Sequence, residues 1–309
     1  MNFVSKFVGY IVKVLLMAGL AVFSVSTREQ QLEPRAYANT PVGMNFLLTG
    51  YAHTEGSVGT DAGSPLQDAQ VTTDTLLLGY ARSFGILGTS AKAAVIGGEA
   101  WVSGSATYQG QPRSRSVSGL TDLAFQGSIN LYGAPALTMS EFTNYQQKLI
   151  IGTSLTITAP IGDYDDKKLL NIGNNRWSVR PELGFSQNFG RLTLEVMPAV
   201  TLYTDNDEFL GQTKSQDPLY SVQGHLIYSF RRGFWGSVSG TYYTGGRTEL
   251  NGIGQHDLEE NYRIGATLSV PLGRHESLKI YGSTGVWART GSDFWLIGAA
   301  FQIRWGGGL

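Results

Sequence analysis

Asp122, Arg176, Arg180, Glu182, Glu195, Gln223, His225, Arg263, Lys279 and Arg304 are the polar residues of this chain whose spacing points to a common role. Each belongs to a segment in which apolar and polar residues alternate. Successive side chains of a β-strand point to opposite faces, so these groups fall on one face and their apolar neighbours on the other. Both signs of charge are present. Such a face suits a ring of charges that biases passing solutes, or a salt-bridge network, Arg180 with Glu182 or Glu195, that fills a narrow interior. An ionised Arg or Lys facing mid-depth lipid would cost roughly 2–4 kcal/mol, which is a reason to turn Arg180 and Lys279 inward.

Other chemistry is thinly represented. His275-Glu276-Ser277 has the His and Ser separation of lipases that work from a lipid-facing strand, but it falls in a tight turn. His53, His225 and His256 have no histidine or hydroxyl partner nearby in sequence. Asp163, Asp165 and Asp166, and Asp205, Asp207 and Glu208, offer hard oxygen ligands, yet neither cluster continues into a twelve-residue calcium loop. They read as solvated loop tips. No catalytic residue, cofactor or metal is therefore assigned. The chain lacks cysteine, which removes thiolate chemistry and disulfides. Its formal net charge of −1 supplies no basic stripe for nucleic acid.

What must position the polar face is a sheet. Of 309 residues, 40 are glycine, 11% are aromatic and only 15% are charged, a light charge load for a soluble protein. Lys6 and Lys13 precede an uncharged run from Val14 to Phe23, with small residues at Ser24 and Ser26. That is a signal peptide over 1–26, cut after Ser26; a cut after Ala38 is the alternative. The uncharged run is shorter than the roughly 20 residues a membrane helix needs. If the mature chain enters a membrane, it must do so as a closed sheet, since only helices and edge-free barrels satisfy every backbone group in hydrocarbon.

About twelve amphipathic strands can be read along the chain, an even number as bacterial barrels require. They lie near Gly43 to His53, Thr72 to Ser83, Ser90 to Val102, Gly119 to Leu131, Gln147 to Ala159, Arg176 to Gln187, Arg191 to Tyr203, Leu219 to Phe230, Phe234 to Thr244, Asn261 to Leu272, Leu278 to Arg289 and Asp293 to Trp305. Connections alternate long and short. The long polar ones, Glu55 to Val71, Ser105 to Ser118, Gly162 to Asn175, Asp205 to Asp217 and Gly245 to Glu260, should face outward. Tyr132 to Gln146 departs from the pattern as a long periplasmic connection.

Aromatic residues collect near strand ends: Trp101, Trp177, Tyr203, Tyr220, Phe230, Phe234, Tyr262, Trp295 and Trp305. That placement fits girdles at two lipid interfaces. The last strand alternates Trp295, Ile297, Phe301, Ile303 and Trp305 with small or polar residues, and resembles the signal read by outer-membrane assembly machinery.

Arg35-Ala36-Tyr37, Pro41-Val42-Gly43-Met44-Asn45, Gly119-Leu120-Thr121-Asp122, Asn171 through Trp177, Tyr203 through Asp207 and Ser215-Gln216-Asp217-Pro218 appear in that order. Together they resemble the bacterial family named for the MetA pathway of phenol degradation, over nearly the whole mature chain. The resemblance implies an outer-membrane barrel associated with uptake of aromatic or other hydrophobic compounds, and it makes Arg35 to Asn45 part of the mature N-terminus, which favours the cut after Ser26.

The expectation is thus an all-β, closed, antiparallel, up-and-down transmembrane β-barrel over residues 43–305. It is preceded by a periplasmic segment, 27–42, that enters the lumen as a plug or lies along the rim, and followed by a tail, 306–309. Its expected work is passive uptake of small hydrophobic or aromatic solutes, as a monomer in outer-membrane lipid. The alternatives are an occluded structural or surface-interaction barrel and, last, a membrane lipase.

Overall fold

The computed structural model describes residues 33–59, 66–108, 110–288 and 291–308; the signal peptide expected over 1–26 lies outside them. In chain order the elements are β1 (Met44–Gly59), β2 (Leu66–Ile86), β3 (Thr89–Tyr108), β4 (Gln111–Leu120), β5 (Leu123–Tyr132), α1 (Met139–Phe142), β6 (Leu149–Ala159), β7 (Ser178–Phe189), β8 (Leu192–Tyr203), β9 (Asn206–Phe209), β10 (Gln212–Gln216), β11 (Leu219–Arg231), β12 (Phe234–Gly245), β13 (Thr248–Leu250), β14 (Ile253–Gly254), β15 (Glu259–Pro271), β16 (Glu276–Ala288) and β17 (Gly291–Gly306).

Thirteen of these strands make one antiparallel sheet, and it closes because β1 pairs with both β2 and β17 while β2 also pairs with β3. β4 and β5 both pair with β3 and form one barrel strand interrupted at Thr121 and Asp122. The result is a closed barrel of 12 strands, and every strand read from the sequence has its counterpart.

The inside and outside follow from the period of two. Along β8, Leu192, Leu194 and Leu202 are exposed on the outer surface, whereas Thr193, Glu195 and Thr201 are buried. The same holds on β11, where Tyr220, Val222 and Leu226 face out and Ser221, Gln223 and His225 face in. An apolar outside surface of this extent is stable only in lipid. Tyr220, Tyr262 and Trp295 stand exposed toward the extracellular ends of their strands, Trp177 just before β7 and Trp101 part-way up the tall β3, with Phe230 and Trp305 at the periplasmic ends. Tyr203 departs from the expected girdle: it turns inward, under the Arg176 guanidinium at 4.3 Å.

Two of the outward loops expected from polarity are strands. β1 runs on to Gly59 and β2 starts at Leu66, while β3 and β4 stay paired up to Tyr108 and Gln111. Polarity misled here because a strand that rises above the bilayer has water on both faces. Two further loops fold into hairpins, β9 with β10 and β13 with β14, which join through Lys214 opposite Leu250 into a small external sheet. Asn251-Gly252 closes one of them with both residues at positive φ, 49° and 77°, the two-residue turn that matches strand twist.

The long connection Tyr132 to Gln146 carries α1, whose Thr138 and Glu141 form a reciprocal capping box. It also receives the chain's N-terminal segment: the Val42 N–H donates to the Leu137 carbonyl at 2.8 Å, and Asn39 Nδ2 donates to the Pro135 carbonyl at 3.2 Å.

Candidate channel lumen

Residues 33–42 turn into the periplasmic half of the bore. Gly152 on β6 and Gly184 on β7 are direct cross-strand partners, and the Tyr37 ring lies against both. A Cβ on Gly184 would stand 2.0 Å from a Tyr37 ring carbon, and one on Gly152 would stand 2.5 Å from another. Only this glycine notch lets the ring approach so closely. One row further along, the cross-strand pair Ser154 and Glu182 receives the Tyr37 hydroxyl, which donates to Glu182 Oε1 at 3.0 Å and lies 3.2 Å from the Ser154 hydroxyl oxygen. Tyr37 is 1% exposed and packs with Ala134, Ile150 and Met197. Burial, with Glu182 acting the same way, pushes its phenol well above the ordinary value, so it remains a donor.

Its neighbours tie the segment down further. The Arg35 N–H donates to Glu195 Oε2 at 2.7 Å, and Lys92 Nζ donates to the Ala36 carbonyl at 2.5 Å. The Arg35 guanidinium stands 5.6 Å from the Trp235 ring, and burial lowers its pKa while Glu195 opposes the shift.

Most of the inward residues read from the sequence gather in this bore, with some in different roles. Arg180 pairs with Glu182 at 2.8 Å, the network alternative. Glu195 accepts from Ser186 as well as from Arg35. Gln223 is buried beside Glu33 and Arg180, and the His225 Nδ1 lies 2.7 Å from Ser239 Oγ. Arg263 sits over the Phe294 ring at 3.7 Å and donates to Ser283 Oγ at 3.1 Å. Lys279 lines an inner-wall pocket.

Three positions differ from that expectation. Asp122 does not present a free carboxylate to the bore: it accepts from the Gly162 N–H at 3.0 Å and from the Asn174 N–H at 2.9 Å, latching the connection between β6 and β7. Arg176 belongs to the same extracellular network, bonded to Gln216 Oε1. Arg304 is exposed at the periplasmic rim, where its guanidinium donates to the Arg274 carbonyl at 2.7 Å. Its parity is inward, but it lies past the end of the bore.

The latched connection folds over the mouth. Leu170 and Ile172 pack on Ala69, Ala100 and Val102 of the tall β2–β3 wall, and Arg115 Nε donates to the Leu170 carbonyl. Asn206 fastens it from the other side through Tyr164 and the Asn174 carbonyl. Asp163 and Asp165 accept backbone bonds from Leu120 and Lys167. His275 lies in the periplasmic turn, its Nδ1 3.3 Å from the Arg304 carbonyl.

Sequence reasoning missed Lys92, Arg35 and Tyr37 as lumen groups. A usable signal existed in the facing glycines at 152 and 184, which no curvature argument distinguishes from the rest.

A closed wall, apolar outside and charged within, with residues 33–42 turned into the bore, is a β-barrel of the outer-membrane kind. The chain belongs to the family described as "Putative MetA-pathway of phenol degradation", whose model matches residues 52–304. Among solved structures, the COG4313 outer membrane channel from Pseudomonas putida F1 aligns with a TM-score of 0.75 at 18% identity, covering 89% of this chain and 100% of that one. The β domain of the Bordetella autotransporter BrkA aligns at 0.48 and 11% identity, covering 85% and 100%. The KdgM porin bound to disordered oligogalacturonate aligns at 0.42 and 11%, covering 82% and 98%. No curated protein sequence matches the chain.

Proposed function

We propose that this protein is a passive outer-membrane channel for small hydrophobic or aromatic compounds, without energy coupling. The observation that carries the reading is the inversion of polarity across the wall: leucines of β8 and β11 meet lipid while Glu195, Gln223 and His225 meet the bore. A wall that only filled a membrane would gain nothing from burying ionisable groups, which cost free energy unless hydrated or paired. Family membership supports the solute class, since the family description joins these barrels to phenol degradation. In this proposal a cleaved signal over 1–26 exports the chain, assembly machinery inserts it, and it works as a monomer.

A second reading is favoured by residues 33–42: the docked segment makes an occluded structural or surface-interaction barrel. Planar-bilayer currents and solute flux into vesicles separate the two. The channel reading expects discrete openings and faster phenol entry than protein-free vesicles give. No current and no flux, from protein shown to be folded, would leave the occluded barrel standing.

A further inference from the structure

The bore wall is chemically divided. Over β7, β8, β11, β12 and β15 most inward side chains are polar, among them Glu182, Glu195, His225, Thr241 and Arg263, with Met197, Leu219, Ile227 and Trp235 as apolar exceptions. Over β1, β2, β3 and β17 the inward positions carry Leu48, Leu77, Ile96 and Leu296, which with Tyr80, Tyr281 and small residues line a pocket of about 150 Å³. Leucine and isoleucine on an aqueous wall run against the period that governs most of the barrel, and unlike Ile150 and Met197 these are not packed under Tyr37. Covering them recovers about 25 cal/mol per Å² of apolar area, so the surface is built to be covered. An apolar cavity of about 150 Å³ holds a benzene ring.

At the periplasmic end of this pocket stands Lys279, and Ser283 lies two inward positions further along the same strand. Among the described residues the Lys279 ammonium has no hydrogen-bond or ion-pair partner, and the carboxylate that acts on it from a distance is Glu33. Glu33 also lines the polar recess opposite, with Arg180, Glu182 and Gln223, and so stands in mid-bore between the two halves. Arg263 reaches the other end through Ser283, and its Nε and Nη1 have no acceptor among the described residues. An apolar floor with an ammonium at one end and an under-satisfied guanidinium at the other is the complement of a hydrocarbon ring bearing one negative charge.

We propose that this pocket binds a small amphipathic monocarboxylate, its ring on Leu48, Leu77, Ile96 and Leu296 and its carboxylate on Lys279, and that Glu33 is the resident carboxylate it displaces. The inference rests on the channel reading and narrows its solute class from hydrophobic compounds in general to aromatic acids. Arg263 gives the incoming anion a first hold nearer the mouth, and the neutral analogue lacks both holds.

Equilibrium binding to the detergent-solubilised full-length barrel tests this without requiring conduction, with benzoate and benzyl alcohol as probes. Benzoate should bind at least tenfold more tightly than benzyl alcohol. Lys279→Met should remove that preference, Lys279→Arg should keep it, and Glu33→Gln should strengthen benzoate binding several-fold. Equal affinity for the two probes in the unmodified protein, or a preference unchanged in folded Lys279→Met, overturns the site. The unmodified comparison decides the matter even where Lys279→Met fails to fold. Vesicle flux is read separately: binding with the expected preference but no flux keeps the pocket and defeats the channel, and flux without preference does the reverse.

Discussion

Replacing Gly184 by alanine should undock the N-terminal segment while leaving the barrel intact. The new Cβ would fall 2.0 and 2.1 Å from two Tyr37 ring carbons, and the strand that carries it is held by β6 and β8 on either side. The ring must yield. Tyr37 is 1% exposed, and burial of such a side chain is worth about 2–3 kcal/mol. Its hydroxyl bond to the Glu182 carboxylate adds about 1.5–3 kcal/mol. Ring and hydroxyl are coupled, and the Glu195 and Lys92 anchors of Arg35 and Ala36 persist, so about half of the total, 2–3 kcal/mol, is the expected loss. At 1.4 kcal/mol per factor of ten, the docked-to-undocked ratio falls roughly thirty- to hundred-fold. Trypsin cleavage after Arg35 reads this population directly when opening is fast relative to cleavage. The rate should rise by that factor, with single-channel conductance rising as well. Gly127→Ala, whose Cβ meets nothing within 4 Å, should change neither. A folded Gly184→Ala protein cleaved at the unmodified rate would refute the notch.

Asp122→Ala removes an acceptor for the Gly162 and Asn174 amides, so hydrogen exchange at those two amides should accelerate by an amount corresponding to about 2–3 kcal/mol, with barrel amides unchanged. Val238 is 66% exposed in the middle of β12, and Val238→Lys should lower folding stability in vesicles by about 2–4 kcal/mol in denaturant titrations; no loss would mean that this face does not meet lipid. N-terminal sequencing of the exported protein should find Thr27 first, because a cut after Ala38 would discard Arg35 and Tyr37 and leave Glu195 and Glu182 without those donors. The Glu141 carboxyl is held below its ordinary value by the Thr138 N–H and hydroxyl. A depressed value contributes stability at higher pH that fades as pH falls through it, so the protection of α1-turn amides, taken relative to their intrinsic exchange rate at each pH, should hold at neutral pH and fall only below about pH 4.5.

The barrel was legible because lipid enforces a simple rule. On β8 and β11 every second residue must be apolar, and that constraint leaves a period of two over ten or more residues. Above the bilayer the rule lapses, which is why the upper parts of β3 and β4, with Ser103 beside Ser116 and Arg113 facing Ala106, read as a polar loop. The bore was half legible. Parity put Glu182, Glu195, Gln223 and His225 on the face that the barrel buries, since that face is set locally. Their partners were not readable, because Tyr37 and Glu182 are separated by 145 positions and no local pattern spans that gap. Asp122 shows the same limit: its parity is right, but a loop 40 residues on determines what its oxygens do. The apolar half of the bore was hidden for another reason. Leu48 and Leu77 sit in strands whose lipid face is also apolar, so both faces are hydrophobic and the alternation that marks a lumen fades.

The division of labour between the two wall halves also accounts for what the N-terminal segment leaves undone. It binds through donors: the Arg35 N–H takes Glu195 and the Tyr37 hydroxyl takes Glu182. Among the wall cations, Lys92 is engaged by the Ala36 carbonyl and Arg180 by Glu182. Among the described residues no carboxylate pairs with Lys279 or Arg263; Lys279 lines the apolar pocket, and Arg263, on the polar wall, reaches its edge through Ser283. A docked segment therefore satisfies the carboxylates Glu182 and Glu195 with hydrogen bonds and leaves the Lys279 ammonium next to the hydrocarbon surface. Because interactions between unit charges grow as water is excluded, the attraction left over is for a group that is anionic and apolar at once. A simple inorganic anion would satisfy only the charges, and a neutral ring only the leucines.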